Sequence, residues 1–423
     1  MNLLEIYKSC NYKVSTDSRN IIKGSLFIAL KGDNFNGNKY AEESLNKGAK
    51  YAIVDEANYV TQENILQVED SLKALQNLAN QYRNEFNIPV LGITGSNGKT
   101  TAKELIHSVL SKKFKTHSTP GNFNNHIGLP LTILSMPIDC EFLVLEMGDN
   151  HPGEIKELCE IGDPNYGLVT NVGKDHIEGF GSFENNKLAK KELFDYLVEF
   201  DGKVFLPKFE GDLMEMAEEV KERIEFGARD SFSNLTPIPS NPFVQYKFGN
   251  GTIKTNLIGD YNIKNIEMAV CIGKFFEVDN NETHKAISEY IPENNRSQFL
   301  EKNGHKIFLD AYNANPSSVE LAVDSFDKQH LLDSRVVILG DMLELGEESI
   351  KEHQSIVDYL KKLNVKVFLV GQEYLKTDYP DNFTVVKHRN DLKSIFKENN
   401  LPASQILIKG SRGIRLEEVL DFL

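Results

Sequence analysis

The stretch Ile88–Glu104, IPVLGITGSNGKTTAKE, restricts what this chain can fold into more than any other. The apolar run Val90–Ile93 ends in a glycine loop, Gly95-Ser96-Asn97-Gly98, followed by Lys99, Thr100 and Thr101 and a helix-competent segment. Strand, loop and helix N-terminus in that order present backbone N–H groups, an ammonium and a hydroxyl to a polyphosphate and its magnesium ion. The spacing departs from G-x-x-x-x-G-K-[ST], because the position of its first glycine is Ile93 and the loop starts instead at Gly95. An isolated Gly-Lys-Thr can arise in any polar turn; the strand before it and the helix after it favour phosphate binding. Lys99 then faces the outer phosphates, Thr100 offers a magnesium ligand, and Gly95 and Gly98 let the backbone approach closely.

A phosphate loop needs a parallel sheet around it, and the rest of the chain supplies the pattern. With 423 residues there is room for about three domains. Residues 1–88 read as a small, irregular α/β unit with strands at Ser25–Leu30 and Ala52–Val54 and helices at Lys39–Lys47 and Ser71–Phe86. Residues 89–291 read as a central phosphate-loop domain with a mainly parallel sheet. Its further strands are Glu141–Glu146, Tyr166–Thr170 and Lys203–Phe205, and its helices are Thr101–Phe114, Lys187–Leu197 and Tyr261–Phe276. Asn250-Gly251 marks a hairpin within residues 226–258. After the break at Pro292–Arg296, residues 292–423 alternate strand and helix as a C-terminal Rossmann-like α/β domain. Its predicted strands are Lys306–Asp310, Arg335–Leu339, Lys366–Val370, Thr384–Val386 and Gln405–Lys409. Its predicted helices are Ser317–Gln329, Lys351–Leu363, Asn390–Lys397 and Leu416–Phe422.

The net charge of −15 is dispersed, which argues against a nucleic-acid partner. Four scattered cysteines without C-x-x-C read as thiols of a reducing cytosol. The N-terminus MNLLEIYKSC lacks a signal-peptide core, and no apolar run reaches membrane-spanning length. A cytoplasmic enzyme is expected.

Several polar residues fall at strand ends, where open α/β sheets bind ligands. Glu146 is either a magnesium ligand or a solvated strand terminus. His176, with Asn171 and Asp175 beside it, is either a site residue or a packing histidine. Lys187, Lys190 and Lys191 read as a solvated helix face or as the source of a catalytic lysine. Asp310, Asn313 and Asn315 precede a helix opened by Pro316, so they are ligand contacts or cap and turn residues. Lys409, Ser411 and Arg412 end another strand, where the two cations could receive a carboxylate or phosphate.

These segments together resemble the Mur ligase family over essentially the whole chain. The resemblance rests on TGSNGKT at Thr94–Thr100, EMG at Glu146–Gly148, TNVGKDH at Thr170–His176, GDYNIKN around Asn262 and Asn265, DAYNANPSS at Asp310–Ser318, LGDMLELG at Leu339–Gly346 and KGSR at Lys409–Arg412. Where relatives carry histidine before the first of those asparagines, this chain has Tyr261; where they often read DGH, it has Asn36-Gly37-Asn38.

The resemblance implies ATP and Mg2+ as cofactors. It also implies ligation of D-alanyl-D-alanine to the carboxylate of UDP-N-acetylmuramoyl-tripeptide through an acyl phosphate, by a monomer. It assigns Lys99, His176, Lys190 and Asp310 to catalysis. It assigns Gly95, Ser96, Asn97, Gly98, Lys99, Thr100, Thr101, Asn262, Asn265, Arg296, Asp310 and Asn313 to ATP. Metal contacts would come from Thr100, Glu146, His176 and, as a carbamate, Lys190. Ser18, Arg19, Asn315, Lys409, Ser411 and Arg412 would hold the substrates. A sibling amino-acid-adding ligase, a folylpolyglutamate synthetase and an ATP-hydrolysing binding module are the alternatives.

Overall fold

Three α/β units follow one another along the chain in the computed structural model, which describes residues 2–398 and 401–423. The first begins with α1 (Leu3–Ser9), β1 (Val14–Ser15), β2 (Leu26–Ile28) and a two-stranded ribbon of β3 (Lys31–Gly32) and β4 (Phe35–Asn36). It continues with α2 (Ala41–Asn46), β5 (Tyr51–Val54), β6 (Ile65–Gln67) and α3 (Ser71–Arg83). Strands β1, β2, β5 and β6 lie side by side, all parallel. Helix α3 starts where the Asp70 side chain accepts from the Lys73 N–H at 2.9 Å. Its buried Leu75, Leu78, Ala79 and Tyr82 form one apolar stripe. The same helix fastens the unit to the next one. The Tyr82 hydroxyl donates to the Met136 carbonyl at 2.9 Å, and the Arg83 guanidinium donates to the carbonyls of Gly162 and Asp163 at 3.1 and 2.8 Å.

The central unit carries β7 (Val90–Thr94), α4 (Lys99–Leu110), β8 (Thr116–Ser118), α5 (Gly128–Leu134), β9 (Phe142–Glu146), α6 (Glu154–Gly162) and β10 (Tyr166–Val169). It goes on through α7 (Ile177–Phe180), α8 (Phe183–Glu199), β11 (Lys203–Pro207), α9 (Gly211–Met216) and β12 (Glu222–Phe226). The strand order is β12-β11-β10-β7-β9-β8, parallel throughout. Strands β7 and β9 are buried along their whole length, which is why they read as continuous apolar runs. Strand β7 sits between β9 and β10, so the ends of its two neighbours flank the phosphate loop. An antiparallel sheet of β13 (Thr236–Ile238), β14 (Phe243–Phe248) and β15 (Gly251–Ile258) follows, then α10 (Asn262–Phe275) and α11 (Asn280–Glu289).

The last unit comprises β16 (Gln298–Lys302), β17 (His305–Asp310), α12 (Pro316–Asp327), β18 (Ser334–Gly340), α13 (Ser349–Leu360), β19 (Lys366–Val370), β20 (Thr384–Val386), α14 (Asp391–Glu398) and β21 (Ser404–Lys409). Its sheet runs β16-β17-β21-β18-β19-β20, with β16 antiparallel and the others parallel. Two expected helices differ in kind. Lys39–Lys47 opens with a 3-10 turn at Gly37–Tyr40, and Leu416–Phe422 is 3-10 throughout. Helix α4 starts at Lys99 rather than Thr101, because the left-handed Gly98 precedes its first turn, and ends at Leu110 rather than Phe114, where the chain tightens into three-residue turns.

Candidate active site

The loop after β7 is shaped by two glycines. Gly95 has φ +135°, and a Cβ there would lie 2.2 Å from Thr170 Oγ1. Gly98, at φ +82°, is the left-handed residue before α4, and a Cβ would lie 2.6 Å from Asn265 Oδ1. The end of β10 clamps the loop between them. The Thr170 hydroxyl and the Asn171 amide donate to the Asn97 carbonyl at 2.7 and 2.8 Å, and the Asn97 N–H donates back to Asn171 Oδ1 at 3.0 Å. The Lys99 ammonium bends over the loop and donates to the Gly95 carbonyl. Thr100 and Thr101 are buried in the first turn of α4.

Glu146 ends β9 beneath that turn and is almost fully buried. Its Oε1 accepts from the Thr100 hydroxyl at 3.1 Å and from the Asn124 amide at 2.9 Å. Its Oε2 is buried with no hydrogen-bond partner among the described residues. Lys103, one turn after Thr100 and likewise buried, lies 3.7 Å from Oε2 and donates to the Thr119 carbonyl at 2.7 Å. A carboxylate oxygen that accepts no hydrogen bond, beside a threonine hydroxyl, is a hard donor set that fits magnesium, with Lys103 as its ion-pair partner in this structure. Among the described residues, no group of three His, Cys, Asp or Glu side chains forms a ready-made metal cage.

Lys190 is not on a solvated face: it is wholly buried. Its ammonium lies 3.2 Å from Asp149 Oδ2 and 3.7 Å from Asp175 Oδ1, over the Phe180 ring. Burial pushes the Asp149 carboxyl up, partly offset by Lys190 and Lys99. Burial acts the same way on Asp175, but Lys190, Lys99 and the Ser96 hydroxyl together hold it below the usual carboxylate range. His176, left-handed at φ +50°, pairs through Nδ1 with Glu344 of the last unit. That pairing holds the Glu344 carboxyl below its ordinary range.

The loop and the strand ends open onto one cavity of about 660 Å³ that also touches the last unit. Ser96–Thr101, Glu146, Asp149, His176, Asn262, Asn265, Arg296, Asp310, Asn313 and Lys409 line it. Asn262 donates to the Ile258 carbonyl at 2.7 Å and to Ser297 Oγ at 3.0 Å, and Asn265 donates to Asn262 Oδ1 at 2.8 Å. Tyr261 is half-buried at the cavity wall, its hydroxyl 3.4 Å from Ser297 Oγ.

Lys409 is not a free anion receptor: its ammonium donates to Asp310 Oδ2 at 2.7 Å and to the Asn313 carbonyl at 3.0 Å. Arg412 is turned outward onto Glu417, away from the cavity lining. Ser411 is buried, accepting from the Leu343 N–H at 3.0 Å. Asn315 caps α12 and reaches Asn97. Ser18 and Arg19 lie in the first unit outside this cavity, Ser18 buried and Arg19 exposed on Asp17.

Lys103, Asn124 and Asp149 carry no signal of their own in the sequence, and Tyr312 and Glu344 fall inside the segments Asp310–Ser318 and Leu339–Gly346 without a role assigned to them. Asp175 was noticed only as a neighbour of His176.

Fold and cleft together define an ATP-dependent ligase built from three α/β domains. The comparisons agree from end to end. Residues 12–83 match the Mur ligase family catalytic domain, 93–273 the Mur ligase middle domain and 295–412 the Mur ligase glutamate ligase domain. The UDP-N-acetylmuramoyl-tripeptide–D-alanyl-D-alanine ligase of Bacillus subtilis (strain 168) is 33% identical over 97% of this chain and 92% of its own. The crystal structure of the MurF ligase from Thermotoga maritima in complex with ADP superposes with a TM-score of 0.87 at 27% identity, covering 97% of this chain and 96% of that one. MurF from Acinetobacter baumannii gives 0.86 at 27%, covering 97% and 92%. The chain belongs to the Mur ligase family, the ligases of peptidoglycan precursor synthesis. No helix among the described residues is long and apolar enough to cross a membrane.

Proposed function

We propose that this chain ligates D-alanyl-D-alanine to the C-terminal carboxylate of UDP-N-acetylmuramoyl-tripeptide at the expense of ATP. The observation that carries the reading is the single cleft joining the phosphate loop, Gly95–Thr100, to the strand-end loop Asp310–Asn313 of the last unit. The printed name of the Bacillus subtilis relative supplies the substrate pair.

A carboxylate is a poor acyl donor because it is anionic and resonance-stabilised. In the reaction proposed, one of its oxygens attacks the γ-phosphorus and ADP leaves. The acyl phosphate then meets the free amine of the dipeptide. The new C–N bond forms, the amine loses a proton and inorganic phosphate departs. Lys99 and the N–H groups at the start of α4 would stabilise charge on the phosphate oxygens. Thr100 and Glu146 would hold magnesium, which draws charge from the β- and γ-oxygens when bound. His176 reaches the same cleft with its orientation set by Glu344. Asn262 and Asn265 would border the nucleoside, and Arg296, in the linker before β16, would reach the phosphates from the cavity wall.

Asp310, held by Lys409, and Asn313 border the acceptor side. Asn315, Ser411 and Arg412 support that loop or its edge. We assign residues 1–88, with Ser18 and Arg19, to the uridine nucleotide, 89–291 to ATP, and 292–423 to the dipeptide and part of ATP. A carbamate on Lys190 would be a third anion beside Asp149 and Asp175, so it requires cations next to it. Mass spectrometry of the native protein reads that modification directly.

The test is ADP release with D-alanyl-D-alanine and each UDP-tripeptide, carrying diaminopimelate or lysine at its third position, with the product mass measured. ADP release that depends on the dipeptide, and a product heavier by one dipeptide less water, is expected. No dipeptide dependence with either tripeptide would sink the reading.

A further inference from the structure

Three cations of the cleft differ in what holds them. Lys409 is pinned by Asp310 at 2.7 Å and Lys264 by Glu210 at 2.7 Å, so a carboxylate offsets each charge. Arg296 is pinned by a ring: its guanidinium carbon lies 3.6 Å from the centroid of Tyr312. A π face attracts a guanidinium without neutralising it and without occupying its N–H edge. The Arg296 Nε is buried and has no hydrogen-bond partner among the described residues.

The backbone around it is equally fixed. Asn294, Asn295 and Ser297 have φ of 58°, 57° and 48°, a region that side chains other than glycine seldom adopt. The Asn295 N–H donates to Gln298 Oε1 at 2.9 Å, the Gln298 amide to the Pro292 carbonyl at 3.0 Å, and the Ser297 N–H to Asp310 Oδ1 at 3.3 Å. The linker therefore delivers Arg296 onto the Tyr312 ring at the cavity wall, where both residues line the space.

We propose that Tyr312 is the positioning residue for Arg296, fixing the guanidinium plane through its face so that the N–H edge stays free for the nucleotide phosphates. This rests on the reading of Arg296 as a phosphate contact, and it adds a role for the aromatic residue inside the Asp310–Pro316 loop. The ring and not the hydroxyl carries the effect.

The experiment is calorimetric ADP binding and ATP steady-state kinetics on the full chain, with Tyr312→Leu, Tyr312→Phe, Arg296→Gln and the Arg296→Gln/Tyr312→Leu double variant. Tyr312→Leu is expected to weaken ADP binding about fivefold, the scale of a cation–π contact at a partly exposed site. It should raise the KM for ATP more than it lowers kcat. Tyr312→Phe should rescue the affinity, and in the Arg296→Gln background Tyr312→Leu should add nothing. ADP affinity unchanged in Tyr312→Leu while Arg296→Gln weakens it, or equal losses in Tyr312→Leu and Tyr312→Phe, overturns the positioning role. Undiminished affinity in Arg296→Gln overturns instead the reading of Arg296 beneath it. If Tyr312→Leu does not fold, Tyr312→Trp takes its place: equal or tighter binding supports the platform and weaker binding overturns it.

Discussion

The side-chain amide of Asn315 donates to Oδ1 of Asn97 at 2.9 Å, so the cap of α12 and the phosphate loop share a hydrogen bond across two domains. The same Asn315 accepts from the Ser318 N–H at 2.9 Å through its own Oδ1. Asn315→Asp keeps the cap and loses the donor to Asn97. It should retain the melting temperature and lower kcat/KM for ATP. Asn315→Ala loses both, with about 1 kcal/mol less stability. Parallel thermal unfolding and kinetics separate the two contributions.

Gly98→Ala should abolish tight nucleotide binding. The left-handed backbone there costs an L side chain about 1–3 kcal/mol, and its Cβ would collide with Asn265 Oδ1, 2.6 Å away. Calorimetry with ADP checks this. An affinity equal to that of the unaltered chain would mean that the loop tolerates a Cβ.

Lys190→Met should destabilise the protein by about 3–5 kcal/mol, because it leaves two carboxylates buried without their cation. Urea unfolding measures the loss. Adding Asp149→Asn should recover part of it, since the neutral amide no longer needs a counter-charge.

Stability should fall as the pH drops from about 6.5 towards 4. Burial depresses His284 from 6.5 to about 4, with its Nδ1 2.9 Å from the Tyr246 hydroxyl and its ring against Phe248. Between those values the unfolded chain binds a proton that the folded one does not, so acid favours unfolding, by at most about 3 kcal/mol. The dependence fades within about a unit above 6.5, where the unfolded histidine also loses its proton. His284→Gln should flatten the profile of melting temperature between pH 4 and 6.5; an unchanged slope would place the titration elsewhere.

Strands that are long and buried on both faces were legible in the sequence. Strands β7 and β9 and the five parallel strands of the last sheet fall within a residue or so of their expected places, while the antiparallel edge strand β16, which buries no residue fully, was not expected. The two- and three-residue strands β1, β6 and β8 carry too few side chains to show a period. Phosphate-loop residues were legible because glycine, lysine and threonine sit in consecutive positions. Spacing alone left Lys190 open between a solvated helix face and a catalytic lysine, because its partners, Asp149 and Asp175, come from the loops after β9 and β10. Lys103 was invisible for the same reason: a buried lysine looks like a surface one until Thr119 and Glu146 are brought to it by the fold.

Asp310 and Lys409 stand directly opposite each other at the ends of the parallel strands β17 and β21. Alternation along a strand means that a slip of one residue in either would send the two charges to opposite faces of the sheet. The ion pair is thus a vernier mark: only the aligned register closes it, and that register also brings Asn313 and the Arg296 linker to the cavity wall. Misfolded registers would strand a lysine and an aspartate among apolar neighbours, so the last domain proofreads its own strand alignment with the contact that borders its cleft.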